Sequence, residues 1–157
     1  MRRRRTHAPL IALVLALSMT ACAPNKAPAD AAVAHYGTTV LGAITELQKG
    51  VTAATDAGSL PVPAARSITT QVEKALGVAK TLGTDLQAYH AATTLDLKNT
   101  TAAAVQADVA AVTEAVSAIL KVNIPSGVAG QITTLIGNVI QAVSATQAEV
   151  AKGLGGK

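Results

Sequence analysis

Residues 63–92 read PAARSITTQVEKALGVAKTLGTDLQAYHAA, and this stretch decides the fold. Its apolar residues recur at alternating steps of three and four, the spacing of helices that pack together along a narrow stripe. We call such a set of positions a seam. Pro63 suits a first helical turn, where a missing N–H breaks no hydrogen bond. The seam of this predicted helix is Ala65, Ile68, Val72, Ala75, Ala79, Leu82, Leu86 and Tyr89.

The same spacing recurs in three other segments. We predict helices over residues 31–57, 99–122 and 126–152, with Asp96 or Asn99 as the cap of the third helix. Short loops between long helices make neighbours antiparallel, so the predicted fold class is an all-α, antiparallel four-helix bundle. The seams are Val33, Gly37, Val40, Ile44, Leu47, Val51 and Ala54 in the first helix, Val105, Val109, Val112, Val116 and Ile119 in the third, and Ile132, Ile136, Val139, Val143 and Val150 in the fourth.

Two segments flank the bundle, which we expect over residues 31–153. Residues 22–30 contain two prolines and are predicted to form a flexible, extended tether. The glycines from Gly153 onward are expected to stop the last helix, leaving residues 154–157 as a frayed tail.

The two halves of the chain resemble each other. With an offset of 64 residues, Leu60-Pro61 matches Ile124-Pro125, and Ile68-Thr69-Thr70 matches Ile132-Thr133-Thr134. Duplication of one helical hairpin explains these matches, since two hairpins can cover each other's apolar stripes. Shared helical spacing alone explains some of them, so both explanations stay open.

The N-terminus has the parts of a secretory signal. A basic segment, Arg2 to Arg5, precedes an apolar run from Pro9 to Leu17 and then small and polar residues up to Cys22. The apolar run is much shorter than the ~20 residues of a membrane-spanning helix. We therefore predict a signal peptide over residues 1–21 rather than a transmembrane anchor.

Met19-Thr20-Ala21-Cys22 resembles the lipobox of bacterial lipoprotein precursors, although Met19 stands where leucine is usual. In that family the cysteine is acylated and becomes the first residue of the mature protein. The resemblance covers residues 1–22 only. It implies a lipid such as palmitate on Cys22, a membrane anchor, and an extracytoplasmic place in the cell envelope, on the outer membrane where the host has one. A plain signal peptide with an incidental cysteine is the alternative.

The chain after residue 21 is electrically neutral. Four of the 13 Lys and Arg residues are Arg2 to Arg5, and all nine Asp and Glu residues follow Cys22, which leaves nine of each sign. Nucleic-acid binding needs a concentrated cationic surface, so we expect no nucleic-acid partner.

Two histidines follow the signal, each beside a tyrosine, in His35-Tyr36 and Tyr89-His90. An antiparallel hairpin places both pairs at one end, where we expect them to cap the membrane-near end of the bundle. Two histidines alone make a poor metal or haem site, so we expect no metal and no cofactor. Ser59 and Ser126 fall in loops at the other end, too far away for a histidine to act as their base, so we expect no enzyme.

The fourth helix carries the predicted interaction face. No charged residue occurs from Val122 to Ala148. At about 100° per residue the large apolar residues share one side, which indicates an amphipathic helix rather than a membrane span. Interface cores are depleted in charge, so we interpret the other side as a contact surface, with plain solvent exposure as the alternative. This face consists of Thr134, Asn138, Gln141 and Ser144.

These features favour a lipid-anchored helical bundle with a non-catalytic interaction role or a structural role in the envelope. Its partners are the membrane, through Cys22, and either another protein or a second copy of the chain. A membrane-active protein whose helices insert into the bilayer is the alternative. A third hypothesis is that the protein carries haem or another small ligand.

Cys22→Ser tests the lipid anchor. The substitution removes the only thiol that can carry the acyl groups, so it should abolish incorporation of radiolabelled palmitate and release the protein from membranes. Ala23→Ser, at the next residue, is the matched control and should label normally. Unchanged labelling of the Cys22→Ser variant would contradict the lipoprotein prediction.

Overall fold

The computed structural model describes the backbone of residues 26–155 and the side chains of residues 35–152. Consecutive helices pack against each other, and the last also packs against the first, which closes a ring. The predicted all-α four-helix bundle is confirmed. The predicted signal peptide, Cys22 and the last two residues of the predicted tail lie outside the described residues. The helices are α1 (Lys26–Asp56), α2 (Val62–Ala91), α3 (Leu95–Ile119) and α4 (Ser126–Gly155).

The predicted seams form the core. Every seam residue whose side chain is described is buried, apart from the half-buried Gly37, and the side chain of Val33 lies outside the described residues. The buried set is almost entirely Ala, Val, Leu and Ile, with Tyr89 as its aromatic member. Small side chains let helices approach toward the short end of the usual ~8–10 Å interaxial range.

The seam of α4 continues through a polar residue. Val143 and Val150 are seven positions apart, and Thr146 between them is 0 % exposed. Its hydroxyl donates to the carbonyl of Ala142 at 3.0 Å. An unpaired buried hydroxyl would cost on the order of 1–3 kcal/mol, and this bond within the helix avoids that cost.

α1 and α4 approach closely at Gly50. A Cβ on residue 50 would lie 2.5 Å from Cδ1 of Leu135, so the glycine leaves room for that side chain. Leu135 is half-buried and packs against the core. The spacing rule missed this contact because Gly50 lies one position before the seam residue Val51.

The turn between α1 and α2 depends on a left-handed glycine. Gly58 has φ +67°, a conformation that residues with a Cβ rarely adopt. The amides of Ser59 and Leu60 then donate to the carbonyl of Ala54 at 2.9 and 3.0 Å. This arrangement closes the end of α1. It also turns Leu60 inward, where it is 2 % exposed and covers that end of the core.

Pro61 and Pro125 begin the second helix of each hairpin in the same way. The carbonyl of Pro61 accepts from the amide of Ala65 at 2.9 Å, and that of Pro125 accepts from Ala129 at 3.0 Å. This equivalence agrees with a duplicated hairpin. It does not test the duplication, since any two helix starts share this bond, and the duplication stays a prediction.

α1 begins earlier than the prolines suggested. The helix starts at Lys26, so the prediction of an extended tether over residues 22–30 is wrong for residues 26–30. Pro28 is the third helical residue. The first four N–H groups of a helix have no partner within it, so a proline there removes no hydrogen bond.

The predicted cap of α3 is also wrong. Neither Asp96 nor Asn99 caps the helix, which begins at Leu95 rather than residue 99. The cap is Thr94, whose hydroxyl oxygen accepts from the amide of Leu97 at 3.3 Å. Threonine and aspartate are both good caps, so composition alone did not distinguish adjacent candidates.

Two helix ends differ from the prediction as well. α3 ends at Ile119 rather than residue 122. α4 continues to Gly155, so residues 154 and 155, predicted to be frayed, are helical. A glycine costs a helix only about 1 kcal/mol relative to alanine, which is too little to fix the end at the first glycine.

Ile44→Asp tests whether the seams form the core. Ile44 is 0 % exposed, and an unpaired charge there should lower the free energy of unfolding by roughly 3 kcal/mol or more. Urea denaturation of the chain starting at Ala23, followed by circular dichroism, measures the change. Gln48→Asp, one turn along α1 and exposed, should change it by less than about 0.5 kcal/mol. Equal unfolding curves for the two variants would contradict the assignment.

Candidate functional site

The predicted interaction face lies on the outside of α4. Thr134, Asn138, Gln141 and Ser144 are all exposed, within an arc of about 120° at 100° per residue. The Thr134 hydroxyl donates to the carbonyl of Gly130 at 3.0 Å. In the described part of the chain, no hydrogen bond joins the side-chain amides of Asn138 and Gln141 to another residue. These amides are therefore free to meet another molecule.

The opposite side of α4 belongs to the core. Ile132, Ile136, Val139 and Val143 are buried, and Leu135 and Ile140 pack half-buried beside them. The amphipathic pattern predicted for this helix is confirmed. Within the described residues, two segments are long and apolar enough to cross a membrane, α3 over Leu95–Ile119 and α4 over Ser126–Lys152.

Tyr89 is a core residue that joins α2 to α4. It is 3 % exposed, and its hydroxyl donates to the carbonyl of Val150 at 3.1 Å. Burial raises the pKa of the Tyr89 hydroxyl, and the negative charge of Glu149 raises it further. The neutral, donating form is therefore favoured. The ring of His90 meets the Tyr89 ring edge-on, with 5.3 Å between ring centroids.

The two histidine–tyrosine pairs lie toward the same end of the bundle but at different heights. A Cβ on Gly37 of α1 would lie 4.0 Å from Cα of Gly83 in α2, so these glycines lie at the same position along the bundle axis. Tyr89 is six residues beyond Gly83, about 9 Å farther along the axis, whereas Tyr36 adjoins Gly37. Over the described residues, no group of three or more His, Cys, Asp or Glu side chains is placed to hold a metal ion.

A pair of carboxyl groups lies between α2 and α3, and the sequence pattern did not predict it. Asp85 and Asp108 are both half-buried, and Oδ2 of Asp108 is buried with no hydrogen-bond partner in the described part of the chain. Burial raises the pKa of Asp108 above the ordinary 3.8, and the nearby charge of Asp85 raises it further. The available sequence signal was that Asp85 and Asp108 immediately precede the seam residues Leu86 and Val109, at the edge of the apolar stripe.

Asp108→Asn should stabilise the protein at neutral pH. A raised folded-state pKa means that Asp108 favours folding when protonated, and this contribution is lost as pH rises through that pKa. An amide carries no charge and can donate to Asp85, so we expect a gain of about 1 kcal/mol near pH 7 and a smaller gain near pH 4.

Urea denaturation at the two pH values measures this difference. Glu114→Gln, on the exposed side of α3, is the matched control and should change stability little at either pH. A variant less stable than the parent at pH 7 would contradict this expectation and would show that the charged form of Asp108 stabilises the fold.

The described residues thus offer one exposed, uncharged polar face on α4 and one carboxyl pair between α2 and α3. The structure brings the four predicted face residues together and keeps the two histidine–tyrosine pairs apart. Comparison of the chain with models of known protein families, with curated proteins and with solved structures found no match.

Proposed function

We propose that the protein is a lipid-anchored, extracytoplasmic helical bundle that acts without catalysis, by binding another protein or a second copy of itself through α4. The observation that carries this proposal is the exposed face of Thr134, Asn138, Gln141 and Ser144. It lies within a run from Val122 to Ala148 that has no charged residue.

The chemistry of this face suits a protein contact. Each side-chain amide of Asn138 and Gln141 offers two donors and one acceptor oxygen. An uncharged amide is less costly to remove from water than the Lys and Glu side chains that usually cover a solvent-facing helix. The face therefore supports burial against a partner with matching hydrogen-bonding groups.

Three features support a non-catalytic role. Ser59 and Ser126 lie at the end of the bundle opposite Tyr89 and His90, a helix length of roughly 40 Å away. Tyr89 donates its hydroxyl to a backbone carbonyl and acts as a core residue. The carboxyl pair of Asp85 and Asp108 shares its interface with apolar core residues of α2 and α3.

The length and apolar composition of α3 and α4 favour a second candidate, in which this hairpin inserts into a bilayer. Insertion would carry Asp108 and Glu114 of α3 into hydrocarbon, at a cost of several kcal/mol for each charge. Extraction separates the two functions. A Cys22→Ser variant that still needs detergent to leave the membrane supports insertion, whereas release by salt washing supports the bundle.

Introducing charge tests the face. Asn138→Lys with Gln141→Lys should leave helicity and melting temperature unchanged, because both positions are exposed, and should weaken association by roughly tenfold or more. Thr84→Lys with Gln87→Lys gives the same spacing on the exposed side of α2 and is the matched control. Sedimentation velocity measures self-association.

A photo-crosslinking residue placed at Asn138, and separately at Gln87, measures contact with a partner in cells. The proposal requires either self-association that the α4 variant loses or a discrete cross-linked species from position 138 alone. A double variant that unfolds would show that the face is part of the core. Intact folding with neither association nor cross-linking would show that it is plain surface.

A further inference from the structure

The turn between α2 and α3 exposes two leucines. Leu95 is 69 % exposed and Leu97 is 48 % exposed, both in the first turn of α3. The other large exposed apolar residues among the described side chains are Val62 and Leu120, at the opposite end of the bundle. About 37 Å of helix separates Leu95 from Leu120 along α3.

The exposed leucines lie at the end of the bundle where α1 begins. Gly37 of α1 and Gly83 of α2 lie at the same position along the bundle axis. α1 begins 11 residues before Gly37, and α2 ends eight residues after Gly83. At 1.5 Å per residue, Lys26 lies about 16 Å beyond this level and Ala91 about 12 Å beyond it. The first residue of α1 and the α2–α3 turn therefore reach similar heights.

The chain between Cys22 and α1 is short. Four residue steps separate Cys22 from Lys26, and an extended chain spans at most about 3.6 Å per step, so Cys22 stays within roughly 14 Å of the start of the helix. A lipid on Cys22 holds this end of the bundle beside the membrane and directs the end with Val62 and Leu120 away from it.

We propose that the α2–α3 turn docks on the lipid bilayer and that Leu95 and Leu97 insert into the boundary between headgroups and acyl chains. This inference rests on the proposed lipid at Cys22. Apolar side chains commonly enter this boundary to a depth of about 5–10 Å. The exposed hydroxyls of Thr93 and Thr94 adjoin the leucines, at the level where water and headgroups can hydrogen-bond them.

The charges of the turn indicate an apolar contact rather than an electrostatic one. Asp96 and Lys98 alternate with the two leucines and have opposite signs, so this turn has no net charge. A zwitterionic bilayer is therefore a sufficient partner. With this end docked, the long axis of the bundle extends away from the membrane. The face of α4 from Thr134 to Ser144 then lies on the side of the bundle, where neighbouring proteins can contact it.

The test measures membrane depth at single positions. Leu95→Cys, Leu97→Cys, Val62→Cys and Leu120→Cys are each made in the full chain and labelled with an environment-sensitive fluorophore. The lipid occupies the thiol of Cys22, the only native cysteine, so each variant has one free thiol. The lipidated proteins are reconstituted in phosphatidylcholine vesicles with or without a lipid that carries a doxyl quencher in its acyl chain.

We expect the doxyl lipid to quench the fluorophores at residues 95 and 97 by roughly twofold or more, because the side chains lie at the acyl boundary. Fluorophores at residues 62 and 120, where the native side chains are 63 % and 51 % exposed, should be unaffected. Equal quenching at both ends, or none at residues 95 and 97, would overturn the docking.

Palmitate labelling of each variant separates the two hypotheses. A chain that carries lipid and sediments with vesicles, but whose residue 95 and 97 fluorophores stay in water, disproves the docking alone. A chain that takes up no palmitate disproves the lipid anchor, and the docking that rests on it fails with it.

Discussion

The structure depends on burying four apolar seams that contain almost no aromatic residues. The chain has no Phe or Trp, so the core is filled by many small aliphatic side chains rather than a few large ones. Burial contributes about 25 cal/mol per Å² of apolar surface, so such a core stabilises the fold only when the helices lie close together and the seams are long. Helices of 25 to 31 residues supply the length. Alanines in the seams and Gly50 under Leu135 permit the close approach.

The same constraint governs the polar atoms of the interior. The hydroxyl of Thr146 is satisfied within its own helix, and that of Tyr89 by the backbone of α4, so neither requires water in the core. Asp108 is the exception, because Oδ2 is buried without a hydrogen-bond partner in the described structure and Asp85 adds a second negative charge. Burial thus favours neutral groups in the interior, and at this carboxyl pair it raises the pKa of Asp108 and so favours the neutral form.

Because the bundle is long, its side and its two ends are separate surfaces that face different directions. The uncharged face around Asn138 and Gln141 lies on one side of the bundle, and the exposed leucines Leu95 and Leu97 lie at one end. The proposed contact with a membrane at the end and the proposed contact with a protein at the side therefore do not compete for area. The α1–α2 and α3–α4 turns occupy the remaining end, where Leu60 covers the core.

The sequence by itself determined the four helices, their seams and the outward position of the α4 polar face, because periodicity fixes which side of a helix is apolar and this bundle buries that side. It did not determine helix ends, such as Lys26 and the Thr94 cap, because neighbouring residues have similar end preferences. Only the tertiary structure decided the pairing of Asp85 with Asp108, the contact of Gly50 with Leu135 and the height of Leu95 relative to α1. Those depend on the axial register of one helix against another, which no residue spacing within a single helix encodes.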